Sequence, residues 1–224
     1  MLPATKKQKT SHKNRVVLVD DFHLEDTHLK PIVKNTKCNI VPLTTDGSPV
    51  LVQLSGGGII PLSFGIDEKD LGGRRKVTVA LQIDSDTDHE ALDRLRTQLI
   101  GVAASTWKHW YPEGAAVPSI DMLTTLCHGL VSERKKKQTG DDCWSGISKA
   151  GIEPADCSTG VCKIVHRDTA TSIPFEDLPG MSWHKAIFEL RYIYIQAKQT
   201  FGITKKLRYL SCSENEERGE VVPI

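Results

Sequence analysis

The chain has 224 residues, of which 39% are hydrophobic and 25% are charged, which suits a globular protein with a buried core. No stretch approaches the roughly 20 apolar residues that span a bilayer, and the N-terminus has no apolar leader, so we expect a soluble protein without membrane contact. Six cysteines without a dense, regular spacing predict reduced thiols and a nuclear or cytoplasmic location.

The formal net charge of +1 conceals two ends of opposite charge. Residues 1–14 contain four lysines and no acid, and they lack apolar periodicity. Residues 213–224 contain four glutamates. We therefore predict a disordered basic arm over residues 1–14, a single domain over residues 15–212, and an acidic tail over residues 213–224.

Short apolar runs between turn residues predict strands in the N-terminal half, over residues 15–19, 38–43, 49–54, 59–64 and 75–83. The last of these alternates most regularly, which indicates a half-buried strand. The acidic stretch after the first run contains Asp20, Asp21, His23 and His28. Its spacing matches no metal site of known geometry, so we favour a solvated loop, although a metal-dependent enzyme that uses these aspartates and histidines is a third hypothesis.

Apolar residues at helical spacing predict one long helix from residue 87 or 88 to residue 110. Asp86, Thr87 or Asp88 is the expected N-cap, and Pro112 lies just beyond the end. A second, shorter helix is predicted over residues 119–126, with Ser119 as its N-cap.

The C-terminal end of the long helix carries an aromatic group, Trp107, Trp110 and Tyr111. These rings can form a stacking platform for bases or a cap on the hydrophobic core. Core capping is the commoner fate because large rings gain most from burial.

A long mobile loop is predicted over residues 133–160, where Gly, Ser and polar residues dominate. Its first part contains Arg134, Lys135, Lys136 and Lys137 in a row. Such a run can bind a polyanion by counterion release or can be merely solvated, and both interpretations stay open.

Cys143, Cys157, Cys162 and His166 lie in or near this loop, before and within a strand predicted over residues 161–167. Their number suggests zinc, but they contain no Cys-x-x-Cys pair and match no common structural site. The sequence leaves open whether they bind a metal.

Residues 183–195 and 201–210 are rich in aromatic and β-branched residues and predict one long β-hairpin. The hairpin carries tyrosines among cations, which is a combination that a single nucleic-acid strand can contact. Alternation places Tyr192 and Tyr194 on the face of Phe188 and Leu190 unless a bulge intervenes, so we expect both tyrosines to be buried and Arg191 to point the opposite way.

The chain contains no Walker-type phosphate loop, no Gly-x-Ser-x-Gly elbow, no His-Glu-x-x-His and no Rossmann fingerprint. Its acids are scattered rather than paired. We therefore expect a protein that is not an enzyme and that uses no cofactor.

The order of elements suits a mainly β, α+β fold of the OB class: a five-stranded barrel with one long helix inserted and extra N-terminal strands. Residues 61–64 (PLSF), the strand RKVTVALQI, the STWKHW segment at 105–110, CKIV at 162–165 and FGIT at 201–204 resemble the OB-fold single-stranded-DNA-binding proteins of large DNA viruses and algae. The resemblance covers roughly residues 59 to 212.

This resemblance implies sequence-tolerant binding of single-stranded DNA, or of RNA, in replication, recombination or repair, and an acidic tail that recruits replication or repair proteins. The residues predicted to bind the strand are Arg134, Lys135, Lys136, Lys137, Lys163, Arg191, Tyr192, Tyr194, Lys205, Lys206 and Arg208. The alternative is an OB-like module that binds only proteins, which the near-neutral charge and the 6% aromatic content favour. The sequence does not indicate an oligomeric state.

Overall fold

The computed structural model describes residues 15–34, 38–62, 65–70, 75–111, 116–132, 135–136, 143–144, 146–196 and 199–215. The predicted basic arm lies outside these residues, as does the tail beyond residue 215. None of the helices in the described part of the chain is both long enough and apolar enough to cross a membrane.

The N-terminal half forms the strands β1 (Val16–Leu18), β2 (His28–Leu29), β3 (Cys38–Thr44), β4 (Val50–Leu54), β5 (Gly58–Ile59), β6 (Ile66–Asp70) and β7 (Arg75–Ile83), and the helices α1 (Asp86–Trp110) and α2 (Ile120–Leu126). The C-terminal half forms β8 (Cys127–His128), β9 (Lys135–Lys136), β10 (Cys143–Trp144), β11 (Gly146–Ile152), α3 (Pro154–Ser158), β12 (Lys163–His166), β13 (Ser182–Gln196) and β14 (Phe201–Ser213). Short 3₁₀ turns occupy Val19–Asp21, Leu24–Asp26 and Phe175–Asp177.

One mixed sheet of twelve strands contains every strand except β9 and β10, with the main order β1-β4-β13-β14-β11-β7-β6. The hairpin of β13 and β14 lies at its centre: β13 pairs antiparallel with β3, β4 and β5, and β14 pairs in parallel with β8, β11 and β12. This open sheet with one long helix confirms the predicted α+β class and is consistent with an OB-like fold.

The helix α1 begins one residue earlier than predicted, and its N-cap is Ser85 rather than Asp86, Thr87 or Asp88. The Ser85 hydroxyl accepts a hydrogen bond from the Asp88 backbone N–H. The Asp88 carboxylate accepts from the backbone N–H groups of Ser55 and Gly56, which joins the first turn of α1 to the end of β4. The helix α2 has its predicted N-cap, Ser119, whose hydroxyl accepts from Met122 N–H.

The C-terminal end of α1 caps the hydrophobic core. The side chains of Trp107 and Trp110 are buried, and both rings contact Phe201 edge-on at the start of β14. Tyr111 donates its hydroxyl to the carbonyl of Gln196. The hypothesis of a stacking platform at this end of the helix is therefore wrong for both tryptophans.

The prediction of a mobile loop over residues 133–160 is wrong in its second half, because residues 146–152 form β11 in the middle of the sheet. The buried face of β11 consists of Gly146, Ser148, Ala150 and Ile152. Three of these residues are small or polar, so the strand shows no hydrophobic alternation. Residues 135–136 and 143–144 also pair as a short antiparallel ladder.

The strands β11 and β12 both run parallel to β14, and the short helix α3 forms the connection between them. Gly151 of β11 pairs with Lys206 and Lys163 of β12 pairs with Tyr209, so the two strands follow one another along the same edge of β14. The segment between them, which we call the β11–β12 connection, places α3 against one face of the central hairpin, where Asp156 contacts Lys206 and Arg208 of β14.

Candidate nucleic-acid interface

A β-bulge in β13 decides which way the tyrosines point. The register with β14 shifts between Leu190 and Tyr192, so that Arg191 has no partner in the ladder. Before the shift the buried residues are Phe188 and Leu190, and after it they are Ile193 and Ile195. Tyr192 and Tyr194 therefore lie half-buried on the face opposite the core, and the prediction that alternation buries them is wrong.

We call this side of the β13–β14 hairpin the outer face. In β13 it carries Lys185, Ile187, Glu189, Tyr192 and Tyr194. In β14 it carries Thr204, Lys206 and Tyr209, which pair with Tyr192, Glu189 and Ile187 respectively. The helix α1 packs on the opposite face through Trp107 and Trp110.

The tyrosine pair, Tyr192 and Tyr194, occupies one end of the outer face. The Tyr194 ring lies over Gly202, and its hydroxyl forms a hydrogen bond with Nδ1 of His128. Burial raises the pKa of Tyr194 to about 12. Tyr192 lies between Pro42 of β3 and Thr204 of β14.

The lysine–tyrosine site, formed by Lys163, Lys185 and Tyr209, occupies the other end of the outer face. Lys163 in β12 is exposed and lies directly beside Tyr209 in the ladder with β14. The Nζ atom of Lys185 lies 5.8 Å from the centroid of the Tyr209 ring. Neither lysine forms an ion pair within the described part of the chain, so both charges are available to an anionic ligand.

An ion-pair cluster lies between these two ends. It consists of three cations and three carboxylates: Arg191, Lys206, Arg208, Glu153, Asp156 and Glu189. The Nζ atom of Lys206 lies 2.7 Å from Asp156 Oδ2 and 2.9 Å from Glu153 Oε2. Arg208 donates to both Asp156 and Glu189.

These contacts change the electrostatics that the sequence predicts. Hydrogen bonding from Lys206, together with the charges of Lys206 and Arg208, holds the pKa of Asp156 below its usual value. Three negative charges balance three positive ones, and the Lys206 side chain is only 8% exposed. The basic groove predicted from Arg191, Lys206 and Arg208 is therefore neutralised by side chains of the same molecule.

Lys205 was predicted to line the groove, and this placement is wrong. Its side chain is buried on the core side of the hairpin, with Nζ 5.6 Å from the Phe188 ring centroid. It donates hydrogen bonds to the Leu130 carbonyl and the Ser148 hydroxyl. Burial lowers the pKa of Lys205 to about 7.

The cation run after residue 133 cannot be placed on this face. Arg134 and Lys137 lie outside the described residues, and for Lys135 and Lys136 only the backbone of β9 is described. Their predicted contact with a nucleic-acid strand stays a prediction.

The possible metal ligands do not converge in the described part of the chain, where no group of three or more His, Cys, Asp or Glu residues is arranged to hold an ion. Cys157 and Cys162 line a cavity of about 320 Å³ together with Ile164 and residues 172–175. In the acidic stretch near the N-terminus, Asp20 pairs with Arg94 at 2.7 Å and His23 contacts Gln98 at 3.2 Å.

The residues predicted to bind the strand do not include Lys185, Glu189 and Tyr209 on the outer face, or Glu153 and Asp156 beside it. Lys185 and Glu189 lie on the predicted hairpin, and their alternation with Ala186, Phe188 and Leu190 indicates a solvent-facing position. No local sequence pattern indicates the roles of Glu153 and Asp156, because these residues reach the hairpin only through the β11–β12 connection.

No family model and no curated protein matches this sequence. Among solved structures, the chain is similar to the single-stranded DNA-binding protein from bacteriophage Enc34 in complex with ssDNA, at 12% identity and a TM-score of 0.43, over 86% of this chain and 98% of that chain. The same phage protein without DNA gives 12% identity and a TM-score of 0.41, over 88% and 96% of the two chains. Its C-terminal truncation gives the same identity and TM-score over 84% and 96%. These values are too low to support a functional argument, and the predicted relation to viral and algal proteins stays a prediction.

Proposed function

We propose that this protein binds single-stranded DNA without sequence preference through the outer face of the β13–β14 hairpin, and that it acts in replication, recombination or repair without catalysing a reaction. The observation that carries this proposal is the lysine–tyrosine site. Tyr209 lies between two lysines on the same face as the tyrosine pair. Aromatic rings stack on any base, and lysines neutralise the phosphates between them.

The length of the outer face suits a strand of several nucleotides. Tyr209 lies seven residues along β14 from Gly202, over which the Tyr194 ring packs. At about 3.4 Å per residue the two ends are roughly 24 Å apart. A strand that contacts both ends therefore crosses the ion-pair cluster.

A fluorescence-anisotropy titration with labelled oligo-dT tests the proposal. We expect binding at low micromolar protein in about 50 mM salt and markedly weaker binding in about 200 mM salt, because each neutralised phosphate releases counterions. An absence of binding in low salt contradicts the proposal. In the proposed role, the glutamates of the tail recruit partner proteins, which a pull-down with and without residues 213–224 tests.

A second candidate function is a protein-interaction module. The observation that favours it is the ion-pair cluster, because three of the predicted phosphate-binding cations are already paired with carboxylates. This candidate predicts that oligo-dT does not bind at either salt concentration.

A further inference from the structure

We propose that Arg191, Lys206 and Arg208 form a covered phosphate subsite, in which Glu153 and Asp156 occupy the positions that phosphate oxygens of the bound strand would take. This inference rests on the function proposed above and adds a means of regulating the same face. In this proposal the two acidic residues of the β11–β12 connection compete with nucleic acid for the same three cations.

The geometry of the cations is that of an oxyanion site. The Lys206 ammonium contacts two carboxylates at 2.7 and 2.9 Å, and Nη1 of Arg208 contacts the same Asp156 oxygen at 2.7 Å. Lys and Arg donors at these distances bind phosphate oxygens as well as carboxylate oxygens. A phosphodiester can therefore replace the Asp156 carboxylate without a new arrangement of the donors.

Glu153 and Asp156, which we call the cover, are held over the subsite mainly by their ion pairs. Cys157 of α3, Cys162 and residues 172–175 line a cavity of about 320 Å³. The Glu153 side chain is 44% exposed, whereas the Asp156 side chain is 17% exposed and lies against Lys206, which is 8% exposed. The exposed contact of Glu153 therefore weakens in salt and gives way first to a competing anion, and the Asp156 contact follows when a phosphate oxygen takes its place.

Removal of the cover makes the subsite positive. With Glu153 and Asp156 in place, three cations face three carboxylates. Without them, only Glu189 remains beside the three cations, which leaves a formal charge of +2 at the middle of the outer face. A strand that already contacts the lysine–tyrosine site and the tyrosine pair presents its phosphates at this point.

Two substitutions test the inference: E153Q alone and E153Q/D156N, which keep the side-chain shapes and remove the negative charges. The matched control is E90Q/D93N, which removes the same number of charges from the exposed face of α1, on the other side of the sheet. We expect oligo-dT to bind about threefold tighter to E153Q and about tenfold tighter to E153Q/D156N, with the control unchanged. The salt slope of the double variant should steepen by about 1.4, since each phosphate on a single strand contributes about 0.7.

Equal or weaker binding by folded E153Q and E153Q/D156N, with binding by the wild-type protein intact, overturns the covered subsite and leaves the proposed function standing. Binding by the double variant but not by the wild-type protein contradicts the function proposed for the wild-type protein, while it supports competition between the two acidic residues and the strand. If neither the wild-type protein nor the variants bind, the proposed function and the subsite fail together.

A second measurement applies even if the double variant does not fold. Acetylation of Lys206 in the wild-type protein, followed by mass spectrometry, should rise as salt loosens the cover and should fall when oligo-dT is added. Lys163 provides the internal comparison, because it is exposed and should be modified equally at both salt concentrations. Protection of Lys163 without protection of Lys206 contradicts the subsite.

Discussion

The phenol ring of Tyr194 lies against Gly202 on the neighbouring strand, so closely that a Cβ atom at residue 202 would lie 2.6 Å from the Tyr194 hydroxyl oxygen. The glycine leaves space for the ring, and His128 holds the hydroxyl from the other side. This packing fixes the orientation of Tyr194 on the outer face. It also explains a glycine at the second position of a long paired strand, where glycine otherwise weakens the sheet.

The first prediction follows from this packing. The substitution G202A should displace the Tyr194 ring, break its hydrogen bond with His128 and lower the free energy of unfolding by about 1–3 kcal/mol. The control is G101A in α1, because no atom lies within 4 Å of a Cβ at residue 101, and alanine favours a helix by up to about 1 kcal/mol over glycine. Urea denaturation measures both. An unchanged free energy of unfolding for G202A would show that the ring moves without cost.

The second prediction concerns the buried Lys205. The substitution K205M should raise the free energy of unfolding at pH 7 by about 1–3 kcal/mol, because it removes a buried ammonium that has no carboxylate partner among the described residues. The Leu130 carbonyl keeps a donor, since the Ser148 hydroxyl bonds to it at 2.8 Å. The control is K149M, an exposed lysine on the neighbouring strand β11, which should change stability by less than about 0.5 kcal/mol.

The sign of the pH dependence follows from the lowered pKa of Lys205, about 7 in the folded protein against 10.5 in the unfolded chain. Between these values the unfolded chain binds more protons, so the stability of the wild-type protein should rise with pH across this window. The advantage of K205M should be largest near and below pH 7 and should shrink toward pH 10. A constant difference across the window would show that Lys205 does not titrate.

The third prediction concerns the lysine–tyrosine site. The substitution Y209A should weaken oligo-dT binding by roughly 5-fold to 100-fold, the loss expected for one stacked base, whereas Y209F should bind as the wild-type protein does. The substitution K163Q should reduce the salt slope by about 0.7, while K108Q, which alters an exposed lysine on α1, should not change it. Equal salt slopes for K163Q and K108Q would show that Lys163 does not contact the strand.

The fourth prediction concerns Asp156, whose pKa is lowered from 3.8 by Lys206 and Arg208. A carboxylate with a lowered pKa adds stability above its unfolded pKa and loses that contribution as pH falls through the folded value. The wild-type protein should therefore be more stable than D156N at pH 7, and the difference should diminish below about pH 4. Denaturation at several pH values measures this. A difference that persists in acid would point to packing rather than charge.

Local patterns predicted much of the fold. The helices α1 and α2, the strand Arg75–Ile83 and the β13–β14 hairpin were all predicted from periodicity and caps, because their buried faces consist of large apolar residues at regular spacing. The strand β11 was missed, because its buried face is made mainly of Gly, Ser and Ala. Small residues pack well in the centre of a sheet without producing a hydrophobic pattern.

The neighbouring residues Lys205 and Lys206 illustrate which features the sequence determined by itself and which ones only the tertiary structure decided. The sequence alone determined that consecutive residues on a strand face opposite sides, and that the hairpin joins tyrosines to cations. The tertiary structure decided which lysine is buried and which is paired, because Ser148, Glu153 and Asp156 reach the hairpin from about 50 residues away. It also decided the direction of the tyrosines through a bulge at Arg191, since a bulge depends on the register with the partner strand and not on the residues of one strand.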